Sequence, residues 1–264
     1  MSMEHIFYGI LPLAAVTLFF CASILRIAAW LWRPVPYQLT LFPVSTKRRG
    51  KLALAAGELF LFRTLFRENR LLWFLAWLLH LSLAMILAGH VLGISLLRGQ
   101  FTALGASLET SALISRTLGG VAGAVMVSSL VALFCRRLLD RELRRLSEPL
   151  VWFDLLLLLS VASSGLGMYL PGFHPDLPAV RSWIASLFRF DSVPPPPNPL
   201  FTLHLSLAGF LLVYFPFSQL MHAAGALVNR AMLMEAAPTF PTPKDKHPRS
   251  PFAEKRAPGE ESRQ

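Results

Sequence analysis

The sequence predicts an all-α integral membrane protein, a five-transmembrane-helix bundle with its N-terminus outside and its C-terminus in the cytoplasm. Three observations predict it. Of the 264 residues, 54% are hydrophobic and only 15% are charged, where a soluble domain carries about a quarter charged. The apolar residues gather into five runs long enough to cross a hydrocarbon core about 30 Å thick, which takes roughly 20 residues at about 1.5 Å each. The lysines and arginines fall almost wholly on one side of those runs.

The first run, Phe7 to Trp32, is interrupted by Arg26 alone, a long side chain able to snorkel. The second, Leu71 to Leu97, has no acid or base except two histidines. The third, Leu118 to Cys135, is rich in small residues (Gly119, Gly120, Gly123, Ser128, Ser129), which suits close helix packing in lipid. The fourth is Leu150 to Leu170, and the fifth runs from Phe201 to about Leu233. Leu52 to Phe66 is apolar but short and carries Glu58 and Arg63; it is expected to be an interfacial helix, not a sixth span.

The formal net charge of +10 acquires meaning from position. Residues 33–70 hold eight bases, residues 136–149 hold five, and the chain from Arg230 onward holds seven, so twenty of the 25 lysines and arginines share one side. Arg98, Arg116, Arg181 and Arg189 mark the other side, and Arg26 lies within a span. Cytoplasmic flanks collect Lys and Arg, so the excess is an orientation signal and no nucleic-acid partner is expected. Cys21 and Cys135, both in apolar runs, cannot build a disulfide framework or a cysteine-based zinc or iron–sulfur site. Met1 to His5 carries Glu4 and no base, and no small-residue cleavage pattern follows the first run, so that run is expected to stay as a span. Trp183, Phe188 and the run Pro194 to Pro197 suggest a short amphipathic piece and a stiff connector in the outer loop 171–200. Residues 1–235 are expected to form the membrane domain, and residues 236–264, rich in Pro, Lys, Glu and Ser, a disordered cytoplasmic tail.

Polar side chains at membrane depth are costly and usually functional, and four histidines lie there: His80 and His90 in the second run, His204 and His222 in the fifth. In a continuous helix His204 and His222 share a face about 27 Å apart, while His90 lies about 15 Å along from His80 and roughly 80° around. The two spans run in opposite directions, so like depths pair His80 with His222 on the cytoplasmic side and His90 with His204 on the outer side. The unequal spacings keep both pairs from being level unless helices and rings tilt. Zinc wants three or four ligands in one cluster, whereas two axial nitrogens on opposite faces of an iron porphyrin fit two ligands per depth. No Cys-x-x-Cys-His is present, so attachment would be non-covalent, as in b-type haem. Gly89 and Gly93 beside His90, with Ala208 and Gly209 one turn after His204, either admit a flat macrocycle or simply pack helices. Three other readings stay open: hydrogen-bonded packing histidines, a haem-free proton channel or transporter, and a non-redox membrane anchor. Asp154 is the single acid deep in a run and is expected to answer the arginines at Arg136 to Arg145.

Two stretches, LLHLSLAMILAGHVLG (Leu78 to Gly93) and FTLHLSLAGFLLVYFPFSQLMH (Phe201 to His222), resemble the haem-binding second and fifth helices of the respiratory nitrate reductase gamma subunit family. The His-x9-His and His-x17-His spacings, the Gly-His-x-x-Gly element and Tyr214 to Ser218 carry the resemblance. It extends more weakly from Gly119 through Leu138 and around Asp154, covering roughly residues 70–235. The resemblance implies a multi-pass subunit of the cell inner membrane that binds two haems b and passes electrons between quinol or menaquinol and a cytoplasmic iron–sulfur or catalytic subunit. It implies the pairings His80 with His222 and His90 with His204, in agreement with the depth argument. Arg98 and Arg116 outside, and Arg136 and Arg137 inside, become candidates for haem propionates, or else serve topology alone. Two features depart from the nitrate enzymes. LFRTLFRENR, Leu61 to Arg70, looks more like relatives from sulfur-metabolising and heterodisulfide-reductase-like complexes. Where the nitrate enzymes carry a lysine before the third span, this chain has Glu109, Thr110 and Ser111, with Arg116 the nearest base.

Overall fold

The structure, a computed structural model, describes residues 3–32, 48–96, 99–190 and 193–235. The expected tail at 236–264, Arg98 and the bases between residues 33 and 47 lie outside them. Within the described residues the chain is all α. Five helices have membrane length and hydropathy: Ile6–Trp32, Arg70–Gly93, Leu108–Leu139, Pro149–Gly167 and Pro199–Phe217. Their outer faces are apolar and open, with Ile24 63% and Leu25 68% exposed, as suits surfaces meant for lipid and not for water. The chain is a multi-pass membrane protein.

The elements are α1 (Leu11–Trp32), preceded by a π-turn at Ile6–Ile10, then α2 (Arg48–Leu61), α3 (Arg63–Glu68) and α4 (Arg70–Ala88) with a π-helical continuation at Gly89–Leu96. There follow α5 (Leu108–Leu139), α6 (Arg141–Leu146), α7 (Pro149–Gly167), α8 (Leu177–Arg189), α9 (Pro199–Tyr214) and α10 (His222–Glu235). Their starts are written in the sequence. The Asn69 side chain accepts from Leu72 N, Ser107 from Thr110 N, Asp140 from Glu142 N and Leu143 N, and Asn198 from Leu200 N and Phe201 N, each satisfying backbone donors that a first turn leaves over. Pro149 and Pro199 open their helices, where a missing N–H costs nothing.

The long helices pack in the series α4, α5, α7, α9, α1. The small-residue stripe of α5 works as expected: Gly119 and Gly120 lie against the Tyr169 ring, and a Cβ on Gly123 would stand 3.2 Å from Leu166 Cδ1. At the end of the bundle that carries the 171–200 loop, the amphipathic α8 buries Val180, Trp183 and Leu187 against Phe201, with Leu13 packed alongside, and Trp183 Nε1 donates to Tyr8 O at 3.0 Å.

Four expectations need correction. The third span is longer than Leu118 to Cys135, because Ser107 caps a helix that runs unbroken to Leu139. The fifth is not one helix: α9 ends at Tyr214, 3-10 turns occupy Phe215–Phe217 and Gln219–Met221, and Ser218 between them is extended at φ −93°, ψ 176°. The cause is Pro216, which has no N–H to donate and whose ring disrupts the preceding turn. The segment at Leu52 to Phe66 is helical but bent into α2 and α3 at Phe62, which sits in the left-handed region at φ 47°, ψ 48°. Finally, Asp154 does not answer the arginines. It is buried and accepts from the Tyr214 hydroxyl at 2.7 Å, because it faces α9 while Arg137 turns away to Ser147.

The Asp154–Tyr214 bond fastens α7 to α9 in lipid, where such bonds contribute about 0.6 kcal/mol on average and at most about 1.7. A thermal double-mutant cycle in detergent with Asp154→Leu and Tyr214→Phe is expected to return a favourable coupling in that range. Additive effects of the two substitutions would mean that the bond does not hold the helices.

Candidate functional site

The four intramembrane histidines meet in two facing pairs. His80 Nε2 stands 3.5 Å from His222 Nε2, with the rings at 84°. His90 and His204 are stacked at 28° with centroids 6.2 Å apart. Both pairs form although straight helices would hold His204 and His222 about 27 Å apart, against about 15 Å between His80 and His90; the fifth span is broken between its two histidines.

Each ring is tied down by its other nitrogen. Nδ1 lies 2.7 Å from Ala76 O in His80, 2.8 Å from Ile86 O in His90 and 3.2 Å from Gln219 O in His222. Nδ1 of His204 lies 3.2 Å from Val161 O and 3.0 Å from the Ser164 hydroxyl, which itself donates to Val161 O. A carbonyl oxygen only accepts, so Nδ1 carries the proton in each neutral ring and Nε2 carries a lone pair. At the His80–His222 pair, two lone pairs therefore converge on one point.

That donor set would suit a metal held by two imidazole nitrogens. An imidazole nitrogen binds a first-row metal at about 2 Å, so a shared ion sets two such nitrogens about 4 Å apart. The 3.5 Å separation is within half an ångström of that. Among the described residues no group of three or more His, Cys, Asp or Glu comes together, so protein side chains alone would not complete a zinc shell; a macrocycle would. Space is also arranged for one. The helices α4 and α9 are not neighbours in the packing series, and a Cβ on Gly89 or Gly209 would meet nothing within 4 Å.

The other residues singled out from sequence fall in different places. Gly93 sits against Gln100, whose Oε1 would be 2.8 Å from an added Cβ, and its carbonyl accepts from Arg181 Nη2 at 3.0 Å. Arg116 is exposed and bonds His174 Nε2 at 2.9 Å. Next to His174 lies Tyr169, whose phenol burial pushes up in pKa while Arg116 pulls it down. Arg137 donates to Ser147. Sequence reasoning missed Val161, Ser164 and Gly165 of α7, which seat His204: an added Cβ on Gly165 would be 3.1 Å from His204 Cε1. The small-residue cluster Ser163–Ser164–Gly165 was the available signal. It also missed Phe62, whose ring meets His80 edge-on at 5.1 Å, and no pattern in the sequence marks that contact.

Fold and site together define a polytopic helical membrane protein that holds paired imidazoles at two levels between non-adjacent helices. The chain belongs to the nitrate reductase gamma subunit family, whose profile matches residues 58–232. It is 30% identical over 269 aligned residues to the Hdr-like menaquinol oxidoreductase cytochrome b-like subunit of Archaeoglobus fulgidus, covering 85% of this chain and 78% of that one. The nitrate reductase gamma chain of Bacillus subtilis is 30% identical over 229 residues, covering 83% and 90%. The Hdr-like menaquinol oxidoreductase cytochrome b-like subunit of Archaeoglobus profundus is 25% identical over 271 residues, covering 84% and 76%.

Crowding at Gly165 supplies a test of the His204 seat. Gly165→Val is expected to force α7 and α9 apart or swing the ring, destabilising the protein by about 1–3 kcal/mol in thermal denaturation in detergent. An unchanged transition would mean that the ring does not need this close approach.

Proposed function

We propose that the chain is the cytochrome b-type membrane subunit of a respiratory oxidoreductase complex, carrying electrons between the quinone pool and a cytoplasmic iron–sulfur or catalytic subunit. His80 and His222 hold one haem b, and His90 and His204 hold the other. The observation that carries this reading is the common state of the four rings, each with Nδ1 on a protein acceptor and two of them converging through Nε2. When bound, a haem b held by these imidazoles would supply a one-electron carrier whose potential the protein tunes.

The chain's own residues do the holding and tuning. Bonds from Nδ1 to carbonyls fix the tautomer and make Nε2 a better donor to metal. For His204, Ser164 and Val161 do this from a neighbouring helix, so ring orientation and helix packing are set together. Gly89 and Gly209 keep the faces of α4 and α9 open. Arg116 and Arg137 are the candidates for propionate carboxylates, in exchange for their present partners, His174 and Ser147. Twenty of 25 bases on one side support a reading with the N-terminus outside and the C-terminus in the cytoplasm of the cell inner membrane. With that orientation the His90–His204 pair lies on the outer side, where menaquinol or another quinol is handled, and the basic inner face receives the soluble partner. Relatives named as a menaquinol oxidoreductase subunit and as a nitrate reductase gamma chain support a quinol-linked role. The LFRTLFRENR stretch sides with the first of these.

Reduced-minus-oxidised spectra of the purified chain are expected to show b-type haem at two per chain. His222→Ala is expected to remove the centre shared with His80 and largely keep the other. A colourless, folded preparation would overturn the proposal in favour of a haem-free channel or anchor, and loss of neither centre in the variant would overturn the pairing.

A further inference from the structure

Arg26 is a cation inside the first span that the paired imidazoles do not explain. A charge at membrane depth is retained where it has interior partners, and those of Arg26 lie at the break in the fifth span. Nη1 donates to Pro216 O, and to Ser218 O at 3.2 Å. The guanidinium carbon stands 5.1 Å from the centre of the Trp30 ring, within cation–π range. Proline and an extended residue interrupt the helical ladder here, so carbonyls of this stretch take partners from outside their own helix, as lipid requires. Arginine suits the task, with five donors in a rigid fork that never loses its charge.

The residue after Ser218 is Gln219, whose carbonyl is the acceptor for His222 Nδ1. Arg26 thus grips the peptide next to the one that orients the ring. One turn further along α1, Trp30 lies against α10 at Gly225, where a Cβ would stand 3.6 Å from its ring edge. The first span therefore holds the chain on both sides of His222.

We infer that Arg26 is a positioning residue for His222, and that its fixed charge raises the reduction potential of the centre held by His80 and His222. The second part follows from electrostatics: a positive charge in a low-dielectric surrounding favours whichever state of a nearby centre carries one more electron. This rests on the reading of His80 and His222 as haem ligands.

The test is a spectroscopic redox titration of the purified full chain, with His222→Ala identifying which band belongs to the inner centre. Arg26→Gln removes the charge and keeps an amide NH2 donor, on a side chain about two bonds shorter. It is expected to retain both centres and lower the inner potential by the equivalent of about a tenfold change in the reduction equilibrium, about 59 mV for one electron, leaving the outer potential in place. Arg26→Leu removes donors as well and is expected to lose the inner centre selectively. A wild-type chain without two b-type centres overturns the ligand reading and this inference with it. Two wild-type centres with an unmoved inner potential in Arg26→Gln, or equal loss of both centres in Arg26→Leu, overturn this inference alone.

Discussion

A helix that breaks inside a membrane must have its stray carbonyls answered, because lipid offers no donor to replace the lost ladder. The fifth span breaks at Pro216, and the arrangement of one end of the bundle depends on how that break is held. Arg26 reaches across from the first span to the carbonyls of Pro216 and Ser218, the Ser218 hydroxyl caps the next turn by accepting from Leu220 N, and only then does α10 begin, at His222. The ladder of a straight helix would carry His222 past His80. Beyond the break, the Nε2 atoms of His80 and His222 stand 3.5 Å apart.

The rings themselves follow a second economy of the membrane. Metal-bound imidazoles in water-soluble proteins often lean on a carboxylate, but an extra ion is costly in lipid, and here the acceptors are backbone carbonyls. His80 and His90 use the residue four positions back in their own helix, and His222 uses the turn that precedes it. His204 instead leans on α7 through Val161 and Ser164, and it can do so because Gly165 lets the helices close. Asp154, an acid well inside the fourth span, bonds Tyr214 and not an imidazole.

The elbow between α2 and α3 falls at the start of the LFRTLFRENR stretch, Leu61 to Arg70. Its pivot, Phe62, adopts a left-handed conformation that costs a residue with a Cβ about 1–2 kcal/mol. The bend is braced by Thr64 N donating to Glu58 Oε1 at 3.1 Å and by Trp73 Nε1 donating to Leu61 O at 2.8 Å. It delivers the Phe62 ring to the edge of His80, so local strain is stored where the elbow meets the imidazole pair.

Much of this was legible in one dimension. Span number and helix starts follow from apolar run length and from Asn69, Ser107, Pro149, Asn198 and Pro199, because hydrocarbon thickness and unpaired first-turn amides act on local sequence. The four histidines stood out because a polar ring in an apolar run needs a reason. What the sequence could not decide is anything that depends on an atom arriving from another helix. That Arg26 answers Pro216, that Asp154 meets Tyr214 instead of an arginine, that Gly165 makes room for His204 and that Phe62 lies on His80 are each set by packing between segments distant in the chain. The sequence by itself determined which groups must be satisfied in the bilayer; only the tertiary structure decided which partners satisfy them, since hydrogen bonds and ring contacts act over a few ångströms and close only when the helices are in place.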